Sequence, residues 1–261
     1  VCFNLGRAGY EAQPVGDARE ARAAIADQRP DLVLMDWMLP DVSGLEFTRQ
    51  CAADGWQVFA GCRAPDDAKE LQKLAADSAG RIHVIPIDVT DTGSVRAAAR
   101  ALAGQPIDLL LNNAGVGGPP GQQLGNLDYT AWARVLDANT LGPMRVTEAF
   151  LENVAESHDK RIVTITSAMG SIADNLSGGR YAYRSSKAAV NIVMKSLSID
   201  LAPRGITCVV MHPGWVRTDM GGEGGKLSPA ESVKSVRSVI SSLKPEDAGK
   251  FLNWDGKPFP W

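Results

Sequence analysis

Tyr183-Arg184-Ser185-Ser186-Lys187 sets a phenol and an ammonium four residues apart. On a helix those positions share a face, so the ammonium can approach the phenol oxygen. A unit positive charge about 5 Å away, at an effective dielectric of about 20, favours the phenolate by roughly 3 kcal/mol. That moves a phenol from about 10 toward the range of a working general acid or base. The same spacing also occurs on solvent-facing helices, so the pair gains weight only from its company. Leu111-Asn112-Asn113-Ala114-Gly115 closes one apolar run with residues that bond to neighbouring backbone or let a ligand come close. Thr166-Ser167-Ala168-Met169-Gly170 brings a hydroxyl to the end of the next run. His212-Pro213-Gly214-Trp215-Val216-Arg217-Thr218-Asp219 does the same for the one after. Asn139 stands inside helical text, a mildly unfavourable place for a side chain that competes for backbone hydrogen bonds. Each has a structural explanation taken singly. Several at consecutive strand ends point to a site.

The elements that must position these groups alternate along the chain. Continuous apolar runs over 31–35, 57–62, 82–87, 107–111, 161–166 and 207–211 read as strands buried on both faces. Helical patterns fill 17–28, 44–54, 67–77, 92–103, 128–154, 183–202 and 229–243, with Asp17 and Ser43 as N-caps and Pro203 and Gly205 closing the 183–202 helix. Right-handed crossovers then give an α/β fold, a three-layer doubly wound parallel sheet of Rossmann-like type, with ligands at the carboxyl ends of its strands. With 44% hydrophobic and 22% charged residues over 261, the chain suits one compact domain rather than a disordered or coiled-coil chain. A net charge of −3 argues against a nucleic-acid or anionic-membrane partner, and the apolar runs are too short to span a bilayer. Four cysteines without CxxC or metal-ligand spacing fit a reduced, cytoplasmic setting and no bound metal. No signal peptide is legible, and a first residue of Val1 suggests a trimmed chain.

Asn112-Asn113-Ala114-Gly115, Ser167 followed by Tyr183-x-x-x-Lys187, and Pro213-Gly214-x-Val216-x-Thr218, in this order, resemble the short-chain dehydrogenase/reductases. The stretch Gly44–Gln50 and the ending Phe251 to Trp261 are similar to the C-factor and sniffer-type carbonyl reductases. The resemblance runs from about residue 44 to 261. It implies an NADP(H)-dependent oxidoreductase acting on a small-molecule carbonyl or alcohol. Tyr183 would protonate the carbonyl oxygen, Ser167 would hydrogen-bond it, and Lys187 would lower the Tyr183 pKa and hold the nicotinamide ribose. Asn139 would anchor a water in the proton relay. Asn113, Ala114 and Gly115 would line the cofactor, Asp88 and Val89 would meet the adenine, and Pro213, Gly214 and Thr218 the nicotinamide end. Arg63, after the 57–62 strand, implies preference for the 2′-phosphate of NADP; a solvated helix-start residue is the plainer alternative.

The family's glycine-rich turn has no counterpart, because Met35-Asp36-Trp37-Met38-Leu39-Pro40-Asp41-Val42-Ser43-Gly44 retains only Gly44, the glycine that permits close helix packing. A diphosphate cradle needs bare backbone N–H groups; Pro40 supplies none, and Asp36 and Asp41 repel a diphosphate. Residues 1–44 resemble instead a response-regulator receiver, a flavodoxin-like fragment that replaces the first βα unit and supplies the first sheet strand. Asp36 would match the phospho-accepting aspartate, although the receiver's acidic pair is missing, so Asp36 reads better as ending a strand. Residues 1–44 carry four Arg against seven acids while the remainder balances 23 against 23, in keeping with a chimera. The 31–35 strand should lie between the 57–62 and 107–111 strands, leaving Tyr10–Val15 without a slot and residues 1–30 loosely packed. The expected activity is carbonyl reduction weakened by the altered turn; the alternatives are a catalytically silent hybrid and, last, a phosphorylation-responsive receiver.

The sequence names no particular substrate. Asp219–Ser228, with four glycines, reads as a mobile substrate lid or as an ordinary surface loop. Met169, Trp215 and Trp254 are candidates to line an apolar pocket, or simply to pack. The 128–154 and 183–202 helices resemble the family's dimer interface, which implies a homodimer.

Overall fold

Hydrophobic residues alternate sides along each central strand, and that alternation decides the layers. A computed structural model describes residues 32–37 and 42–261, with side chains from Gly44 onward. Contacts divide the chain into Val1–Pro30 and Asp31–Trp261. The readings placed on 1–31 and 38–41 lie outside the described residues: the 17–28 helix, the Asp17 cap, the position of Tyr10–Val15, and most of the receiver-like fragment.

Strands β1 (Leu32–Trp37), β2 (Gln57–Cys62), β3 (Ile82–Pro86), β4 (Leu109–Asn112), β5 (Arg161–Ile165), β6 (Thr207–His212) and β7 (Phe251–Asn253) form one parallel sheet in the order β3-β2-β1-β4-β5-β6-β7. Thus β1 lies between β2, where Leu32 pairs with Gln57, and β4, where Val33 pairs with Leu109. Helices α1 (Val42–Ala53), α2 (Lys69–Ala76) and α8 (Pro229–Ser242) cover one face, meeting Leu109, Leu111, Val163, Val209 and Met211. On the other face lie α3 (Thr92–Ala101), α4 (Tyr129–Leu136), α5 (Gly142–Ala149), α6 (Leu151–Ala155) and α7 (Tyr181–Leu201), where Leu110, Ile162 and Cys208 pack with Phe150 and Val154. Burial on both sides is what continuous apolar strands require, and the result is a three-layer Rossmann-like α/β fold.

Three local differences from the sequence reading have physical causes. The 128–154 stretch is not one helix. A π-turn over Asp137–Leu141 widens it, and Phe150 separates α5 from α6. Helix α1 begins at Val42, so Ser43 lies inside its first turn rather than capping it. Strand β7, only three residues long and at the sheet edge, carries too little pattern to be read. Asp91 and Asp128 cap α3 and α4, accepting from the Gly93 and Ala131 N–H groups, and Ser228 with Glu231 forms a capping box on α8. Among the described residues no helix is long and apolar enough to cross a membrane.

Candidate functional site

Three strands end side by side, and each hands its last residues to the same crevice. At the end of β4, Asn112 Nδ2 donates to Thr147 Oγ1 on α5 and Thr164 Oγ1 on β5, both at 3.2 Å. These buried bonds fix where the Asn113–Gly115 loop emerges. After β5, Ser167 starts a short 3₁₀ turn over Ala168–Gly170, its Oγ accepting from the Met169 N–H at 3.1 Å. A hydroxyl that accepts there keeps its own proton to donate elsewhere. The turn packs directly on α7: a Cβ at Gly170 would lie 2.9 Å from the Lys187 carbonyl carbon and 3.0 Å from Asn191 Nδ2. After β6, Gly214 at φ +87° lets the chain turn where a Cβ would meet Trp254 at 2.9 Å.

Helix α7 presents Tyr183 and Lys187, both buried. Lys187 Nζ donates to the Ile165 carbonyl at 2.9 Å and stands 5.8 Å from the centre of the Tyr183 ring. The guanidinium of Arg180 lies over the same ring at 5.8 Å. The π-turn is sewn to α7. Thr140 Oγ1 donates to the Ser186 carbonyl at 3.0 Å, and Asn139 Nδ2 donates to Ser186 Oγ and to the Val116 carbonyl, both at 2.9 Å. Asn139 Oδ1 in turn accepts from the Val116 N–H at 2.7 Å, so its amide clamps the loop that follows Gly115. A Cβ on Gly115 would sit 3.3 Å from both Asn139 Oδ1 and Lys187 Nζ; the bare glycine keeps that corner open. π-turns gather at functional sites.

A cavity of about 390 Å³ lies at this edge of the sheet. It brings together Asn113, Gly115, Ser167, Tyr183, Lys187, Pro213, Gly214 and Thr218. The other candidates lie outside its walls. Gly44 is in α1, where its carbonyl accepts from Thr48 Oγ1; Arg63 is exposed just past β2. Asp88 follows β3 and accepts from the Thr90 N–H and hydroxyl at 2.9 and 2.7 Å. Val89 is buried, its carbonyl taken by Arg145, and Ala114 is buried beside Asn113. Met169 and Trp215 line the cavity, whereas Trp254 does not. Phe47, Arg180, His212 and Met220 line it too, and none of the four carries a sequence signal for that place. Burial holds the His212 imidazole down to about 4, partly offset by the charge of Asp174, so the ring is neutral near pH 7. Among the described residues no cluster could hold a metal ion.

The glycine-rich Asp219–Ser228 segment is tied down. Trp215 Nε1 donates to the Gly221 carbonyl at 2.8 Å, Arg217 N–H to Leu227, and the N–H groups of Lys226 and Leu227 to Trp215. A Cβ on Gly221 would overlap the Val216 carbonyl oxygen, and one on Gly225 would come 2.5 Å from the Arg217 nitrogen. These glycines serve close backbone approach; freedom of movement is not needed to explain them.

C-signal of Myxococcus xanthus is 46% identical over 167 residues, covering 64% of this chain and 100% of that protein. Among solved structures, the carbonyl reductase Sniffer of D. melanogaster superposes with a TM-score of 0.83 at 31% identity, covering 89% of this chain and 100% of the other. The NADPH-bound carbonyl reductase from chicken fatty liver gives 0.83 at 35% identity, covering 90% and 100%. The family model for short chain dehydrogenase matches residues 43–226, which hold the Asn113, Ser167, Tyr183 and Lys187 cluster, and the chain therefore belongs to the short chain dehydrogenase family.

Proposed function

We propose that this chain reduces a small carbonyl compound, or oxidises the matching alcohol, with NADP(H). The carrying observation is that Ser167, Tyr183 and Lys187 share one cavity with Asn113 and Gly115 at the carboxyl edge of the sheet. The corner left bare at Gly115, beside Lys187, suits the nicotinamide ribose, with Asn113, Pro213, Gly214 and Thr218 around the ring. Ala114 backs that loop from within. At the far end Arg63 would take the 2′-phosphate, and Asp88 and Val89 would meet the adenine. NADPH, when bound, supplies the hydride to the carbonyl carbon. Tyr183 donates its hydroxyl proton to the carbonyl oxygen, and Ser167 hydrogen-bonds that oxygen with the proton its cap leaves over. Lys187, cationic and 5.8 Å from the ring, stabilises the negative charge left on the phenol oxygen. Asn139 fixes the Val116 loop, and a water held beside its backbone would return the proton from solvent.

The test is NADPH consumption with a panel of aldehydes. Saturable turnover is expected, and Tyr183→Phe should lower kcat on the order of 100-fold or more with NADPH binding retained. A Tyr183→Phe chain as fast as the parent would overturn the assignment.

The residues between β1 and α1 favour a second reading, in which the reductase groups persist on a chain with a receiver-like residues 1–44 and a poor grip on the diphosphate. Pro40 removes an N–H, and Asp36 and Asp41 oppose the anion. Replacing 35–44 by a glycine-rich turn should then strengthen NADPH binding; equal affinity would remove this reading. Ile192 and Ile199, each 63% exposed and one face of α7, support a homodimer, checked by sedimentation.

A further inference from the structure

The geometry points to Arg180 as the residue that selects the substrate: it would bind a carboxylate carried by the carbonyl compound, making the preferred substrates aldehydes or ketones with a carboxylate a few atoms from the carbonyl. This rests on the reduction proposed above and names its substrate class. Arg180 is exposed and lines two cavities at once: the one holding Tyr183 and Lys187, and an outer one of about 780 Å³. Tyr183 and Met220 border both as well, so the two spaces adjoin at Arg180. A compound whose carbonyl is at Tyr183 and whose other end enters the outer cavity passes this guanidinium.

The side chain is placed for an anion. Its carbon lies 5.8 Å from the centre of the Tyr183 ring, and stacking on a ring leaves all five N–H donors of a guanidinium unused. Among the described residues it forms no ion pair. The surroundings are bare: Gly117, Gly118 and Gly179 line the outer cavity, and a Cβ on Gly117 would come 3.8 Å from Arg180 Nη2. Among the described residues that line the outer cavity, Arg180 is the one cation and Asp219 the one carboxylate. An anion there is attracted by Arg180 and repelled by Asp219, and the repulsion grows with each added negative charge, which favours a monoanion over a doubly charged phosphate. A planar guanidinium also matches the two oxygens of a carboxylate with two parallel N–H groups.

The experiment compares 4-carboxybenzaldehyde with its methyl ester, which has the same aldehyde and nearly the same shape without the charge. The parent chain should prefer the acid in kcat/KM. Arg180→Gln should lower the acid-to-ester ratio on the order of 10- to 100-fold, and Arg180→Lys should restore part of it. A ratio unchanged by Arg180→Gln, with both substrates slowed alike, would show that Arg180 acts only through the Tyr183 ring and would overturn the inference. A second arm needs no turnover: calorimetric titration of 4-(hydroxymethyl)benzoate and its methyl ester into the chain without nucleotide. Weaker binding of the acid alone in Arg180→Gln supports the inference even where no aldehyde is reduced, in which case it is the reduction reading that fails. Equal binding of the acid by parent and variant overturns it.

Discussion

Replacing Gly170 by Ala puts a methyl group 2.9 Å from the Lys187 carbonyl carbon, 3.0 Å from Lys187 Cβ and 3.0 Å from Asn191 Nδ2. Carbon atoms rest about 3.5–4.0 Å apart, so the Ser167–Gly170 turn must move off α7 by roughly 0.5–1 Å. None of the three is the loose end of a side chain: the two Lys187 atoms are helix backbone and the Cβ fixed to it, and the amide of Asn191 is itself buried, donating to the Gly170 carbonyl. Ser167 is bonded to the turn through Met169 and is carried with it. Overpacking of this kind costs about 1–3 kcal/mol, a fall in Tm of several degrees for a chain of this size. A reacting group displaced by about 1 Å loses on the order of 100-fold in rate. The assay is kcat/KM for aldehyde reduction in Gly170→Ala, Ser167→Ala and the double variant, with Tm for each. If the methyl acts by displacing Ser167, adding it to Ser167→Ala costs stability again but little further rate. Full additivity of the two rate losses, or a Gly170→Ala enzyme with normal kcat and a lowered Tm, would refute the reasoning.

Asp108 is buried, and burial raises its carboxyl above the usual range despite hydrogen bonds from the Asp159 and His158 N–H groups. Its stabilising contribution is therefore present in acid and lost as pH rises through the folded value, so the Tm advantage of Asp108→Asn should grow from about pH 3 to about pH 7; an advantage that shrinks contradicts this. His212, held at about 4 by burial, binds its proton less readily folded than unfolded. Stability should fall as pH drops from about 6.5 toward 4, and a proton-resonance titration of the ring with a midpoint near its ordinary value would disprove it. Gly221→Ala drives a methyl into the Val216 carbonyl oxygen and should unfasten the 219–228 segment, raising KM and speeding proteolysis there; unaltered cleavage would show that the segment was never held.

The strands that bear the site were legible because burial on both faces leaves apolar runs with no polar interruption, as in Leu109–Leu111 and Cys208–Met211. Their ends were legible because Asn113, Ser167 and Pro213 interrupt those runs with small or polar residues. Chain geometry without a residue code was not. The π-turn at Asp137–Leu141 follows from the bonds of Asn139 and Thr140 to α7, and those partners lie some fifty positions downstream. Asn139 is out of place in a regular helix, and the local widening is the reason it can reach Ser186. Glycines at 221 and 225 read as looseness, because a sequence cannot say whether a missing side chain serves motion or contact. Arg180 was not legible, because nothing about an arginine before a helix shows which ring it lies over.

The order of the sheet also bears on how the chain assembles. Among the described strands every lateral pair joins sequence neighbours except β1 with β4, and that seam rests on three register pairs, against six between β1 and β2. Its formation must wait for the intervening chain to close a long loop, an entropic toll that local pairings escape. Asn113, Ser167, Tyr183 and Lys187 all belong to the later half, whereas Arg63 and Asp88 belong to the earlier one. Transient parting of that seam would leave Tyr183 and its neighbours intact while separating them from Arg63 and Asp88, so a nucleotide that touches both sides should slow the parting and act as a clasp between them.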